Sequence, residues 1–372
     1  MFSFTVHHQD AATRARAGRV VTPHGAFDTP AFMPVGTAGA VKGVTPEQIE
    51  RTGTQIVLAN TYHLDLRPGP EVVVALGGLH RFMGWQHPIL TDSGGYQVFS
   101  LAEIRDLDDD GVTFRSHIDG AVVRLDPAAA IEIQNKLGAD IIMVLDVCPP
   151  LPADAATVTQ AVERTIRWAR QCRRCHGRAD QWLFGIVQGG LDDDLRRRCL
   201  DAVVEIGFDG YAVGGLSVGE SHEDMVRVLD RLAPLMPADR PRYVMGVGMP
   251  RDLYACVRAG MDMFDCVLPT RNGRNAYAFT ATGPLKLRNE AHRTSDEPLE
   301  AGCDCDTCRR FSRGYLRHLF LSSEMLGPIL TSIHNLRFFQ RLMARMRDLI
   351  PRRELVRIES EFPVVTMGRE PE

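Results

Sequence analysis

No stretch of this chain approaches the ~18 consecutive apolar residues that a membrane-spanning helix needs. Its first ten residues carry no apolar core of the kind that marks an export signal. No Gly-x-Gly-x-x-Gly turn follows the first strand-like run, which removes the main dinucleotide-binding signature. Internal repeats and low-complexity tracts are absent. Lysine is scarce: Lys42, Lys136 and Lys286 are the only ones, so basic character rests on arginine. These absences argue against a membrane protein, an exported protein, a solenoid and a nicotinamide dehydrogenase. A cytoplasmic location is the expectation.

What is present is a globular composition, with 44% hydrophobic and 24% charged residues in a chain of 372. At ~150 residues per domain the length allows two or three domains, although α/β barrels of ~250 residues break that rule. The formal net charge of −4 argues mildly against nucleic acid as a partner. The average conceals an asymmetry. Residues 271–360 carry a net +6, residues 1–270 a net −8, and the last twelve −2. Guanidinium forks match phosphate geometry better than lysine point charges do. A GC-rich genome accounts for arginine over lysine but not for this clustering.

Nine cysteines are present, and six are scattered: Cys148, Cys172, Cys175, Cys199, Cys256 and Cys266. Without an export signal a disulfide framework is not expected. Cys172-Arg-Arg-Cys175-His176 matches the haem-attachment string, but residues 161–178 have helical apolar spacing and read as a plain amphipathic helix. Cys303-Asp-Cys305-Asp-Thr-Cys308 is different, with three thiols in six residues and His334 downstream. Thiolates crowded in this way repel unless a cation holds them. Zinc in a closed Cys₃His tetrahedron is the usual solution, and with no position left for water it is structural. Asp106-x-Asp108-x-Asp110-Gly111 imitates the start of a calcium loop, but His117 stands where the twelfth-position Glu is required.

Short β-prone runs at 2–7, 18–21 and 31–35 open the chain. Apolar strands are then expected at 55–59, 88–91, 140–145, 183–187, 210–213, 242–246 and 262–266. Amphipathic helices are expected between them at 45–52, 127–137, 154–178, 192–206, 221–235 and 250–259. Near-continuously apolar strands are buried on both faces, as in parallel sheets covered by helices. Seven or eight βα units point to a barrel. Residues 101–125 interrupt the rhythm with a hairpin, strands 112–118 and 121–125 around Asp119-Gly120. Long helices at 315–325 and 328–349 close the chain.

Polar residues collect just past the strand ends: Asp92 with Ser93-Gly94-Gly95-Tyr96-Gln97, Asp146, Gln188-Gly189-Gly190, Gly214-Gly215 and Asp265. In a barrel these ends open onto one face, where active sites lie. A single Asp there reads as a helix N-cap. Three Asp, a Gln and three Gly-Gly pairs read instead as a pocket for a flat heterocycle, with glycines permitting close backbone approach.

These residues belong to longer motifs. They are Asn60-Thr61-Tyr62-His63-Leu64, Thr91-Asp92-Ser93-Gly94-Gly95-Tyr96-Gln97-Val98-Phe99, Ser116-His117-Ile118-Asp119-Gly120, Gly214-Gly215-Leu216-Ser217-Val218-Gly219-Glu220, Met245-Gly246-Val247-Gly248 and Phe264-Asp265-Cys266-Val267-Leu268-Pro269-Thr270-Arg271. With them, and with the cysteine cluster and His334, the chain resembles the bacterial tRNA-guanine transglycosylase family over nearly its whole length.

The resemblance implies a (β/α)8 TIM barrel with an N-terminal antiparallel sheet and a C-terminal zinc-binding subdomain. Residues 1–40 would cap the barrel, 41–275 form its main part, and 276–372 form the zinc subdomain and tRNA-contacting helices. It implies exchange of guanine at the wobble position of GUN-anticodon tRNAs (Asp, Asn, His and Tyr isoacceptors) for 7-aminomethyl-7-deazaguanine, in queuosine biosynthesis. Asp265 would be the nucleophile and Asp92 the proton acceptor. Asp92, Ser93, Tyr96, Asp146, Cys148, Gln188, Gly215, Leu216 and Met245 would hold the base. Val247, Gly248, Thr270, Arg271 and Arg274 would contact RNA. Cys303, Cys305, Cys308 and His334 would bind one structural Zn²⁺, in a homodimer. The family's pocket string Asp-Glu-Cys reads Asp146-Val147-Cys148 here. Alternatives are a non-catalytic tRNA-binding subunit, disfavoured by the presence of both Asp92 and Asp265, and an archaeal-type enzyme, which would be expected to carry further C-terminal RNA-binding domains.

Overall fold

The computed structural model describes residues 2–101 and 105–368. Strands β1 (Ser3–Gln9), β2 (Arg16–Thr22) and β3 (Gly25–Thr29) form an antiparallel sheet. β4 (Ala31–Gly36), β5 (Val57–Ala59) and β6 (Ile89–Thr91) follow, then a second antiparallel sheet of β7 (Arg105–Leu107), β8 (Val112–Arg115) and β9 (Val122–Leu125). β10 (Ile141–Met143), β11 (Trp182–Val187), β12 (Gly210–Val213), β13 (Arg242–Val244) and β14 (Met263–Cys266) alternate with helices, and β15 (Tyr277–Thr280) and β16 (Gly283–Lys286) form a hairpin. The closed barrel runs β10-β11-β12-β13-β14-β4-β5-β6, all parallel.

The apolar runs explain the closure. β10 and β12 are buried at every position, so both faces need cover: barrel interior on one side, helices on the other. The helices start where Asp126, Asp154, Asp192 and Ser221 accept the N–H three residues on. Helix Ala155–Cys175 buries Cys172 and exposes Cys175, as its amphipathic spacing requires. Among the described residues no helix is long and apolar enough to cross a membrane.

The N-terminal sheet closes one end of the barrel. Buried Arg16 pairs with buried Asp262 just before β14, and the Asp28 N–H donates to Gln55 before β5. Phe2 stacks on Trp182 at the start of β11, with centroids 4.7 Å apart. His24 and His80 each place a ring nitrogen on a different oxygen of buried Asp140, at 2.8 and 3.0 Å. These two rings lie face to face, with centroids 3.5 Å apart. Their in-plane lone pairs run side by side instead of converging, so the trio makes a hydrogen-bonded tie and a poor metal cage. All these partners precede strands, which leaves the opposite, C-terminal end open.

The boundaries differ from the sequence expectation in two places. β4 lies in the barrel, paired with β14 and β5, so the capping sheet ends at Thr29 and not near residue 40. The C-terminal helix Leu326–Leu349 also returns to the barrel: Phe339 meets Phe32 at 4.7 Å, and Gln340 and Arg347 donate to the Phe32 and Pro30 carbonyls. The cysteine-bearing lobe is therefore an insertion between the last strand and the helix that covers it. It has its own small apolar cluster, including Leu287, Leu299, Leu316 and Leu319. The insertion after β6 gains a third strand, β7, beyond the expected hairpin.

Candidate active site

Asp92, Asp146 and Asp265 are not helix caps; other residues do that work. Asp92 follows β6 and is held from the neighbouring β5 end. Asn60 Nδ2 donates to its Oδ2, and the Thr61 N–H donates to Oδ1 at 2.9 Å. The Thr61 hydroxyl donates to the Asp92 carbonyl. Burial pushes the Asp92 carboxyl up to about 7, and the nearby Asp265 charge adds to the rise.

Asp265 stands on β14, half-buried at the barrel mouth. Its Oδ1 accepts from the Tyr243 hydroxyl at 2.5 Å and from the Gly246 N–H at 2.8 Å. Burial raises its carboxyl, and these two bonds pull it back toward ionisation. Burial also holds the Tyr243 hydroxyl well above its usual range, so it stays a donor. In the sequence Tyr243 passes for one more apolar strand residue. The signal that points to it is its place in a buried strand, two residues before Met245. Tyr243→Phe removes a bond to a charged acceptor worth about 1.5–3 kcal/mol. Turnover is expected to fall about tenfold to a hundredfold, and the acid limb of the pH–rate profile to move to higher pH. An unchanged profile would show that the hydroxyl does not support the carboxylate.

Asp146 follows β10 and accepts from Gln188 Nε2 at 2.7 Å. Burial pushes its carboxyl up to about 6, opposed by that amide. The Gln188 side chain lies directly on Gly214-Gly215. A Cβ at Gly214 would meet Gln188 Nε2 at 2.5 Å, and one at Gly215, where φ is +64°, would meet Oε1 at 2.5 Å. A side chain at Gly214 would displace the Gln188 amide, and the left-handed φ at Gly215 favours glycine. Cys148 is buried nearby, its thiol pushed up to about 12 by burial. Ser93 is buried, and its hydroxyl accepts the Gly95 N–H. The Tyr96 ring is 48% exposed, open enough to take a stacking partner, while Leu216 is buried and Met245 half-buried. Glu220 accepts the N–H groups of Ser217 and Val218, which turns the Leu216 carbonyl away from Glu220 across a trans peptide.

The raised Asp92 carboxyl is also a stability statement. Between pH ~4 and ~7 the folded protein holds a proton that the unfolded chain releases, so this group's contribution is complete below pH ~4 and is lost as pH rises toward 7. Three pKa units correspond to about 4 kcal/mol. Asp92→Asn lacks the titration. Its stability relative to the parent is expected to improve from pH 4 to pH 8, by up to about 4 kcal/mol in denaturant titrations. A pH-independent difference would contradict the burial.

Of the residues expected to meet RNA, Arg271 is exposed and Arg274 half-buried, both on helix Leu268–Arg274 beside the site. Val247, Gly248 and Thr270 are buried, and the Thr270 hydroxyl is turned to the Val267 carbonyl. These three therefore offer RNA little side-chain surface.

In the inserted lobe, Cys303, Cys305 and Cys308 place Sγ atoms 3.7, 3.7 and 3.3 Å from His334 Nδ1. A tetrahedron with metal–sulfur ≈ 2.3 Å and metal–nitrogen ≈ 2.0–2.1 Å requires separations of about 3.6 Å. The four donors fit a metal ion. His334 Nε2 is engaged with the Phe279 carbonyl at 2.8 Å, which leaves Nδ1 for the metal. Asp304 within the loop pairs with Arg337, which also donates to the Thr52 carbonyl.

A family model described as queuine tRNA-ribosyltransferase matches residues 10–364. A queuine tRNA-ribosyltransferase of Halothermothrix orenii is 52% identical, covering 97% of this chain and 96% of its own. Proteins of the same name from Pseudomonas aeruginosa and Idiomarina loihiensis are each 54% identical, covering 94% and 91% of this chain and 94% and 90% of their own.

Proposed function

The chain belongs to the queuine tRNA-ribosyltransferase family, and on that premise we propose that it exchanges guanine at the wobble position of GUN-anticodon tRNAs for 7-aminomethyl-7-deazaguanine. The observation that carries this reading is a pair of carboxylates at strand ends, Asp92 buried and Asp265 half-buried, near enough that the Asp265 charge adds to the rise of the Asp92 carboxyl, together with the Asp146–Gln188 pair.

Asp265, ionised by its two donors, attacks the ribose C1′. The C1′–N9 bond breaks and its electron pair leaves with the purine, which Asp92 protonates. The ribose stays on Asp265 as an ester. Asp92, now a carboxylate, takes the proton from N9 of the incoming base, which attacks C1′ and releases Asp265. Two inversions give retention, as in retaining glycosidases. The base leaves its stack to enter the pocket. Asp146 accepts from N1–H and the exocyclic amine, while Gln188 and the Gly215 N–H donate to O6. Tyr96 and Met245 cover the two faces. The Leu216 carbonyl, turned away from Glu220, accepts from the aminomethyl group. Cys148 and Val218 leave less room for the bulkier queuine.

Arg271, Arg274 and the basic segment hold the anticodon backbone. The metal is zinc, one per chain. It cross-links the cysteine loop to the C-terminal helix, and the chain's own residues carry every chemical step. Aspartate, asparagine, histidine and tyrosine tRNAs are the substrates, in the cytoplasm. The active form is a homodimer, with one subunit positioning tRNA for the other.

The test is incubation with unmodified GUN-anticodon tRNA and labelled guanine. Label is expected to enter position 34 only, and 7-aminomethyl-7-deazaguanine to compete better than queuine. Absence of label from tRNA would overturn the function, and preference for queuine the substrate.

A further inference from the structure

One buried, charged side chain next to the glycine turns is not used by the mechanism. Arg196 lies in helix Asp193–Ile206 within Leu195-Arg196-Arg197-Arg198, where Arg197 and Arg198 are exposed. Arg196 itself is 1% exposed. Among the described residues no carboxylate pairs with it. Its donors go instead to four main-chain carbonyls: Nε to Gly190 at 2.9 Å, one terminal nitrogen to Val187 at 2.9 Å and Gly214 at 2.7 Å, the other to Gly215 at 3.1 Å. Burial lowers its pKa only to about 10, so the guanidinium stays charged at neutral pH.

Those carbonyls belong to the two glycine-rich turns that flank Gln188. A trans peptide points its C=O and N–H in opposite directions. By capturing the Gly214 carbonyl, Arg196 sends the Gly215 N–H the other way, toward the Cys148 thiol and the pocket. Glycines at φ +56° (Gly190) and +64° (Gly215) have no side-chain packing of their own to hold a peptide plane. The planar fork supplies what they lack, and a lysine, as a point charge, could not span four acceptors. The charge also polarises each peptide it touches, which strengthens the N–H as a donor.

We propose that Arg196 is the positioning residue of the base pocket, fixing the glycine peptides so that the Gly215 N–H meets the purine O6 before any base arrives. The inference rests on the transglycosylase reading.

The experiment compares the parent with Arg196→Lys and Arg196→Met in guanine exchange. The KM for guanine is expected to rise at least tenfold in both, with the tRNA KM within twofold. The inhibition constant of 2-aminopurine, which lacks O6, is expected to stay within twofold. A fold defect would instead lower kcat and leave both KM values in place. An unchanged guanine KM in Arg196→Lys, or an equal loss for 2-aminopurine, overturns the positioning role. A parent that fails to exchange guanine overturns the function instead. Hydrogen–deuterium exchange of the parent alone adds a reading that needs no variant. Peptides covering 214–216 should be protected without base, and rapid exchange there contradicts the proposal even if neither variant folds.

Discussion

Asp265→Asn is expected to lower guanine exchange by about 10⁴-fold or more and to abolish any stable tRNA–protein adduct. An amide nitrogen carries no free pair for attack, and the amide oxygen is a far weaker nucleophile than a carboxylate oxygen. The fold should survive the change. The Tyr243 hydroxyl and the Gly246 N–H both donate to Oδ1, and an amide oxygen can still accept both. The isosteric variant also escapes the cost of burying a charge. A folded protein with no exchange is therefore the expected outcome, read from initial rates beside a thermal melt. Exchange at the parental rate would remove Asp265 from the chemistry.

The second large effect concerns the metal. Cys305→Ser is expected to reduce zinc from one per chain to well below that, measured by atomic absorption. The melting temperature should fall by at least about 10 °C, since structural zinc contributes about 10–16 kcal/mol in small domains. The inserted lobe has only a small apolar cluster to fall back on. The damage should reach the barrel, because His334 stands on the helix whose Phe339 and Gln340 cover β4. Arg337 on the same helix ties Asp304 in the cysteine loop to the end of helix Pro46–Arg51. Chelation of the parent should reproduce the loss. A chain that contains no metal yet melts at the same temperature after chelator treatment would contradict the structural role.

The barrel was legible because its strands are short, apolar and separated by amphipathic helices with recognisable caps. Periodicity locates such elements to within a residue or two, as at Gly210–Val213 and Pro127–Leu137. It does not say where an element sits in space. That is why Ala31–Gly36 reads with its antiparallel neighbours although it completes the barrel. For the same reason the helix Leu326–Leu349 reads as part of a separate lobe.

The candidate site divides along the same line. Asp92, Asp146, Gln188 and Asp265 stand out because polar groups at apolar strand ends are conspicuous. Their supports do not. Asn60 and Thr61 reach Asp92 across adjacent strands, and Tyr243 passes for a core aromatic. Arg196 shares the helical face of Cys199, Leu200 and Val203, so its burial follows from spacing, but its four carbonyl partners come from turns that only the fold brings to it.

The central claim is a covalent ribose ester on Asp265, tested most directly by mass spectrometry. The protein would be mixed with GUN-anticodon tRNA without free base, denatured, digested with nuclease and protease, and its peptides mapped. A base-free ribose phosphate mass is expected on the peptide containing Asp265, lost in Asp265→Asn and discharged when guanine is added. The same mass on the Asp92 peptide, or retention of the adduct in Asp265→Asn, would contradict it.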